Sequence, residues 1–331
     1  MNTILTIVIP AYNIGKLAET VLATVCQEET KNAVEILFID DGSTDRTLEI
    51  AEAWAKVHDN MKVITKENGG HGSVINCGME RAQGRYLKVV DGDDFVEKRG
   101  LVELVAYLQQ CHSDYVISPY YLVNASSGKR KVQYIQDLIP GHSYQFEDVA
   151  MNLGRIPFHA LTIRTEMLQR ADIHLTENCY YDDFQYVLYP IPYVKTLSYF
   201  EFPVYDYVVG QENQSVNAKV AYQNLPMFLK IFDDSVAYVT KIGRLSYEKR
   251  KSIQECMNGF LKNIYNVYLK NAYGKCVYHD FLQFDRMIHA NYPNYEKVAK
   301  QRYRYISIAS GSPVSFYVVG GLMKLYMRTR E

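Results

Sequence analysis

Tyr86-Leu87-Lys88-Val89-Val90-Asp91-Gly92-Asp93-Asp94-Phe95 passes from an apolar run into three carboxylates around one glycine. The run reads as a buried strand and the acidic part as the turn at its C-terminal end. Asp91 and Asp93 are two apart, so an extended backbone sends both side chains to one side. Carboxylates placed so repel each other unless a cation lies between them. Oxygen-only ligands on a short turn suit Mg2+ or Mn2+, with water or substrate phosphate completing the shell. The competing reading is a polar turn that only caps the strand, since Asp-Gly is a common turn pair.

The segments on the N-terminal side supply the context. Ile4-Leu5-Thr6-Ile7-Val8-Ile9-Pro10 reads as a central buried strand, followed by the loop Ala11-Tyr12-Asn13 and an amphipathic helix over residues 17–25. Val34-Glu35-Ile36-Leu37-Phe38-Ile39-Asp40 is the second strand. It runs into Asp40-Asp41-Gly42-Ser43-Thr44-Asp45, then a helix over 48–57 with Ser43 or Thr44 near its N-cap. Residues 61–65 are the third strand, and Asn68-Gly69-Gly70-His71-Gly72 opens a helix over 73–81.

Strand and helix thus alternate four times in about 95 residues, which implies a parallel α/β sheet. Ligands of such sheets bind at the C-terminal ends of the strands. Tyr12, Asp40, Asp41, Gly69, Gly70, Asp91 and Asp93 all fall there, a coincidence that favours a site over a simple turn. Asp40 or Asp41 suits hydrogen bonds from a nucleobase or ribose, with a helix cap as the alternative. Gly69-Gly70-His71-Gly72 matches neither the dinucleotide nor the phosphate-loop fingerprint. Its glycines permit chain reversal or close approach to a ligand, and His71 alone makes no ligand set.

Farther along, 115–118 and 158–163 read as strands, the second carrying His159, with a hairpin turn at Ser126-Ser127-Gly128-Lys129 and a short helix over 164–170. Glu177-Asn178-Cys179-Tyr180-Tyr181-Asp182-Asp183-Phe184 sets adjacent acids among aromatics. Such acids are costly to bury without a purpose, and desolvation moves a carboxylate toward general-base values. A helix N-terminus, where acids are also favoured, is the alternative. Residues 220–239, 247–269, 277–288 and 295–305 read as helices.

The 331 residues carry 36 Lys/Arg and 37 Asp/Glu, but 16 of these bases and 6 of these acids lie in 241–331. The acidic first part and basic, tyrosine-rich last part suggest two jobs. That last part suits an anionic membrane surface, and 316–328 is apolar, closes in cations and is too short to span. A helical cap with a solvated basic face is the alternative. No nucleic-acid partner is expected. Six cysteines without CxxC spacing read as reduced thiols. No signal peptide is expected, so the expected location is cytoplasmic, peripheral to the inner face of the membrane.

In order and spacing, Ile7-Val8-Ile9-Pro10-Ala11-Tyr12-Asn13, Asp40 to Asp45, Asn68-Gly69-Gly70 and Asp91-Gly92-Asp93-Asp94 resemble the family 2 glycosyltransferases. The likeness is strong over about residues 3–120 and looser to about 217. It implies the GT-A nucleotide-diphosphosugar transferase fold over 1–218, with a nucleotide-sugar half (1–120) and an acceptor half (121–218), then a helical region over 219–331. It implies an inverting transferase moving sugar from a nucleotide-sugar, most often a UDP-sugar, to a hydroxyl of a glycan, glycolipid, lipid-linked or polysaccharide precursor. Tyr12 and Asp41 would lie at the uracil or ribose, with Pro10, Ala11, Asn13, Asp40, Asn68, Gly69, Gly70 and Gly92 around the donor. Asp91 and Asp93 would hold Mn2+ or Mg2+ and diphosphate. The family's base comes from an acidic pair, usually Glu-Asp and here Asp182-Asp183, of which Asp183 is favoured. His159 and Tyr181 would line the acceptor pocket, although His159 also reads as a core histidine. Segment 204–216 resembles a family stretch reading Gly-Arg-Glu-Gly-Gln-Ser-Val, with Gln211 in place of the arginine and Asn213 in place of the second glycine.

Two rivals are a nucleotidyltransferase and a non-catalytic nucleotide-sugar binder. The first wants a glycine- and Lys/Arg-rich loop after strand one, which Ala11-Tyr12-Asn13-Ile14-Gly15 lacks. Intact Asp91, Asp93 and Asp183 speak against the second.

Overall fold

The computed structural model describes residues 3–135, 137–150, 156–210, 218–272 and 276–328, with backbone only at 302 and 326–328. The first four strands are β1 (Leu5–Ala11), β2 (Val34–Asp40), β3 (Met61–Thr65) and β4 (Tyr86–Val89). Every position of β1 and β2 is buried, because both faces of this part of the sheet are covered. That explains their continuous apolar runs in place of alternation.

Short strands follow: β5 (Phe95–Val96), β6 (Tyr115–Ile117), β7 (Tyr120–Asn124), β8 (Arg130–Gln133), β9 (Ser143–Gln145), β10 (Leu161–Arg164), β11 (Thr196–Tyr199) and β12 (Tyr205–Val209). Eight strands form one sheet in the order β3-β2-β1-β4-β10-β6-β11-β9. β1 pairs in parallel with β2 and β4, and β2 with β3, while β10 runs antiparallel to β4 and β6. The chain winds outward from β1 to β3 and then returns to β4 on the other side of β1. The strand order reverses there, the place where open α/β sheets bind ligands. A smaller sheet, β5-β12-β7-β8, supplies Tyr205 and Tyr207 from β12.

Several boundaries differ from the sequence expectation. No Ser43 or Thr44 cap starts the second helix, which runs Thr47–Ala55. Those residues are used elsewhere: Asn13 N–H donates to Ser43 Oγ (2.9 Å) and Thr44 N–H to Asn13 Oδ1 (2.8 Å), tying the β1 and β2 loops together. The third helix begins two residues early, at His71. Residues 158–160 form a 3-10 turn ahead of β10, its Ala160 N–H bonded to Pro157 O at 3.0 Å, so His159 sits on a turn. Residues 220–239 divide into Ala218–Gln223 and Leu225–Lys241, and 295–305 into Pro293–Arg302 and Arg304–Gly311.

The chain forms two compact units, Met1–Gln211 with Tyr238–Ser252, and Glu212–Ala237 with Ile253–Glu331. The first holds both sheets. In it Tyr238 stacks on Tyr189 with ring centroids 3.8 Å apart. The second is helical around Phe260, Tyr265, Phe281 and Phe316. Tyr265 and Tyr268 are core residues here, not surface ones; Tyr265 donates to Asp285 at 2.7 Å and Tyr268 stacks on Phe284. No helix among the described residues is long and apolar enough to cross a membrane.

Candidate active site

β1 and β4 deliver their ends side by side. At Gly92 the turn lies so close to β1 that an added Cβ would sit 2.7 Å from Pro10 O and 2.8 Å from Ile14 Cδ1. Only glycine allows this approach. The Asp91, Asp93 and Asp94 carboxylates converge, with one oxygen of each within 4.8 Å of the others. Burial first, then the charge of Asp91, pushes the Asp93 carboxyl above the usual carboxylate range. Asp94 is driven well above it, by burial and then by Asp91 and Asp93.

The three are not equivalent. Both oxygens of Asp94 are occupied, one by the Tyr205 hydroxyl (2.8 Å) and the other by Val208 N–H (2.7 Å). The same hydroxyl accepts from Asp91 N–H at 3.1 Å, so Tyr205 pins the turn from behind. Asp91 and Asp93 lie beside Asp94, the charge of Asp91 acting on Asp93, and the set of donors is all oxygen. This fits a hard divalent cation.

His71 opens the helix His71–Arg81, just after Gly70 at φ +80°. Its ring stands between two acids: Nε2 is 3.0 Å from Asp91 Oδ1 and Nδ1 is 2.8 Å from Asp182 Oδ2. Carboxylates only accept, so satisfying both bonds requires protons on both ring nitrogens. Burial lowers the affinity of this imidazole for its second proton. The charges and hydrogen bonds of Asp182 and Asp91 outweigh burial and hold its pKa well above the ordinary histidine value. Sequence inspection credited His71 with no partner; the structure makes it the link between the two acidic motifs.

Asp182 is buried and precedes the short helix Asp183–Leu188, so the acidic pair does occupy a helix N-terminus. The preceding Tyr181, half-buried, has φ +72°, a strained conformation for a bulky side chain and one that concentrates at functional sites. Asp183 is half-buried, and its charge acts on the Tyr207 hydroxyl together with those of Asp94, Asp91 and Asp93. The Tyr207 hydroxyl is pushed up to about 12 by burial, then by Asp94, Asp91, Asp183 and Asp93 in that order. His159 stacks on Tyr207 (centroids 4.6 Å apart) and meets Tyr120 edge-on (4.0 Å), which makes it part of an aromatic wall.

On the other flank, Tyr12 is 52% exposed just beyond β1. Asp40 is buried and accepts from Ser43 N–H, and Asp41 is 2% exposed. Both Asp41 oxygens are engaged within the fold, by Lys66 Nζ (2.8 Å), Gly69 N–H (3.0 Å) and Gly70 N–H (2.8 Å). Asn68 donates to Asp41 O at 3.0 Å. Asp41 therefore shapes the glycine loop. Residues 211–216, the stretch compared with the family's arginine-containing segment, lie outside the described residues.

Sequence reading also passed over Lys88 within the β4 run. It is fully buried, donates to His159 O (2.8 Å) and Leu161 O (3.2 Å), and is pushed down to about 7 by burial. An apolar run scored by pattern absorbs one lysine without signal. The alternation of Tyr205 and Tyr207 along β12 was the one available hint of the aromatic wall.

A sequence model of the family described as Glycosyl transferase family 2 matches residues 6–170. Glycosyltransferase GlyG of Streptococcus pneumoniae serotype 4 (strain ATCC BAA-334 / TIGR4) is 33% identical over 129 residues, 39% of this chain and 42% of that protein. The chain thus matches less than half the length of this curated relative. Residues 1–349 of Staphylococcus aureus TarS superpose with a TM-score of 0.64 at 18% identity, covering 99% of this chain and 92% of that one. The same protein in complex with UDP-GlcNAc gives 0.55 at 17%, covering 91% and 92%. The mannosyltransferase PcManGT from Pyrobaculum calidifontis, in complex with GDP-Man and Mn2+, gives 0.51 at 15%, covering 98% and 88%. At these identities the likeness is one of fold, and it covers the GT-A architecture of a mixed, mostly parallel sheet followed by helices. The chain belongs to glycosyl transferase family 2.

Proposed function

We propose that this chain is an inverting glycosyltransferase that moves a sugar from a nucleotide-diphosphosugar, a UDP-sugar above all, to an acceptor hydroxyl of a glycan or lipid-linked precursor. The observation that carries this reading is the meeting, at the β1/β4 reversal, of the Asp91/Asp93 pair with the Asp182-Asp183 pair through His71. The UDP-GlcNAc complex of TarS and the GDP-Man and Mn2+ complex of PcManGT support a donor of this class in this fold.

In this reading the exposed Tyr12 ring and the Asn68-Gly69-Gly70 loop receive the nucleoside, and Asp91 and Asp93 hold Mn2+ or Mg2+ beside the diphosphate. A cation bound there would neutralise charge developing on the leaving diphosphate. Asp183 takes the proton from the acceptor hydroxyl as its oxygen attacks the anomeric carbon, and a single displacement inverts configuration. Asp182, committed to His71, positions Asp183 at the start of its helix and does not itself take the proton. Tyr207, His159 and Tyr120 form an apolar wall that keeps water from competing with the acceptor.

The test is release of nucleoside diphosphate across a panel of UDP-, GDP- and dTDP-sugars, with Mn2+, with Mg2+ and with chelator. Metal-dependent release from one nucleotide class is the expected result. Donor binding without release or transfer from any member, in the presence of hydroxyl acceptors, would turn the reading to a silent binder.

A further inference from the structure

The helix Pro313–Arg328 is apolar on two opposite sides. Inward, Phe316 lies against Phe281 and Tyr278, with centroids at 4.8 and 5.3 Å. Gly320 packs so closely that an added Cβ would lie 2.4 Å from the Cβ of Ala272. The core of the helical unit therefore already uses one face of this helix. Outward, Val314, Tyr317, Val318, Leu322 and Leu325 follow at i, i+3, i+4, i+8 and i+11, one continuous stripe. Val314 is 73% and Leu322 62% exposed. Six of the thirteen exposed large hydrophobic side chains among the described residues lie between 308 and 325, so this is a concentrated patch and not scatter.

Charge selects what covers it. From residue 297 to 330 the sequence has seven Lys/Arg and no Asp or Glu. Lys300 is paired with Asp285 and Glu296, at 2.8 and 2.7 Å. Arg304, on the preceding helix, and Lys324, on this one, are exposed. A second copy set face to face on this surface would bring two segments rich in Lys/Arg together. A bilayer with anionic headgroups offers both partners at once: an acyl boundary for the stripe and phosphate oxygens for the cations. The helix has 16 residues, fewer than the ~20 needed to span, so it lies in the plane of the interface.

We infer that the outward stripe of the helix Pro313–Arg328 docks this protein on an anionic lipid surface.

The test is co-sedimentation of the full chain with vesicles of phosphatidylcholine alone and of phosphatidylcholine mixed with phosphatidylglycerol. Binding to the mixed vesicles, weakened by salt and absent with phosphatidylcholine alone, is expected. The double substitution Val318→Ser with Leu322→Ser should lower binding by roughly tenfold or more, and Lys324→Glu should lower it less. Circular dichroism confirms that the variants fold. Equal binding to both vesicle types, or binding unmoved by the double substitution, overturns the inference. So does a dimer in sedimentation velocity that the double substitution dissociates, since the stripe would then be a contact between copies.

Discussion

Replacing His71 by alanine removes the imidazole that lies 2.8 Å from Asp182 and 3.0 Å from Asp91. The two contacts differ in worth. The Asp182 side chain is only 2% exposed, whereas that of Asp91 is 30% exposed. Stranding a buried carboxylate without its partner costs about 3–5 kcal/mol, while a solvent-screened pair contributes under about 1 kcal/mol. His71→Ala should therefore destabilise the protein by roughly 3 kcal/mol, nearly all through Asp182. A double-mutant cycle isolates this contribution. Wild type, His71→Ala, Asp182→Asn and the pair are unfolded in urea at one pH and compared at equal m value. A hydrogen bond to a charged group predicts a coupling of about 1.5–3 kcal/mol between positions 71 and 182. The parallel cycle with Asp91→Asn should give less than half of that. A 71–182 coupling below about 0.5 kcal/mol would refute the reasoning, because the ring would then be placed by packing alone.

Further outcomes follow from the same geometry. Asp183→Asn should cut turnover roughly 10²–10⁴-fold with donor affinity unchanged by calorimetry, and a donor-binding defect of equal size would remove Asp183 from the base role. Asp91→Ala and Asp93→Ala should each weaken Mn2+ binding at least about tenfold by titration calorimetry, whereas full metal-dependent activity in either variant would dismiss the site. Gly92→Ala should cost about 1–3 kcal/mol, because its methyl meets the backbone oxygen of Pro10 at 2.7 Å; an unchanged urea midpoint would contradict the packing. For Lys88, the folded pKa of about 7 lies below the unfolded value, so above pH 7 the unfolded chain holds a proton that the folded chain has released. Its contribution to stability rises as pH climbs from about 7 toward about 10. Lys88→Met should flatten that rise, and identical slopes in variant and wild type would contradict the burial.

What the sequence discloses is local. The strands β1 to β4 could be read because each is a short apolar run bounded by turn residues, and their ends could be aligned because the alternation with helices forces a parallel sheet. The convergence of the Asp91 and Asp93 carboxylates could be read because the two sit within three consecutive residues. The His71–Asp182 contact joins positions 111 apart, as does Tyr205–Asp94. Nothing in the periodicity of either segment announces such a partner. Ser43 and Thr44 misled for a different reason: a hydroxyl before a helix is a cap only if nothing nearer competes, and here the β1 loop at Asn13 does. Lys88 vanished into its strand because pattern scoring weighs a run as a whole.

The engagement of Asp41 has a consequence for how such a protein changes over generations. Its carboxylate is spent on Lys66 and two glycine amides, while Tyr12 stands in solvent directly after β1. In the proposed function, the residue that frames the nucleoside loop and the residue that meets the nucleoside are then different residues. On that proposal, selection could exchange the aromatic surface at position 12, and with it the preferred base, while the frame stays intact. Donor preference would then be free to drift at little cost to folding.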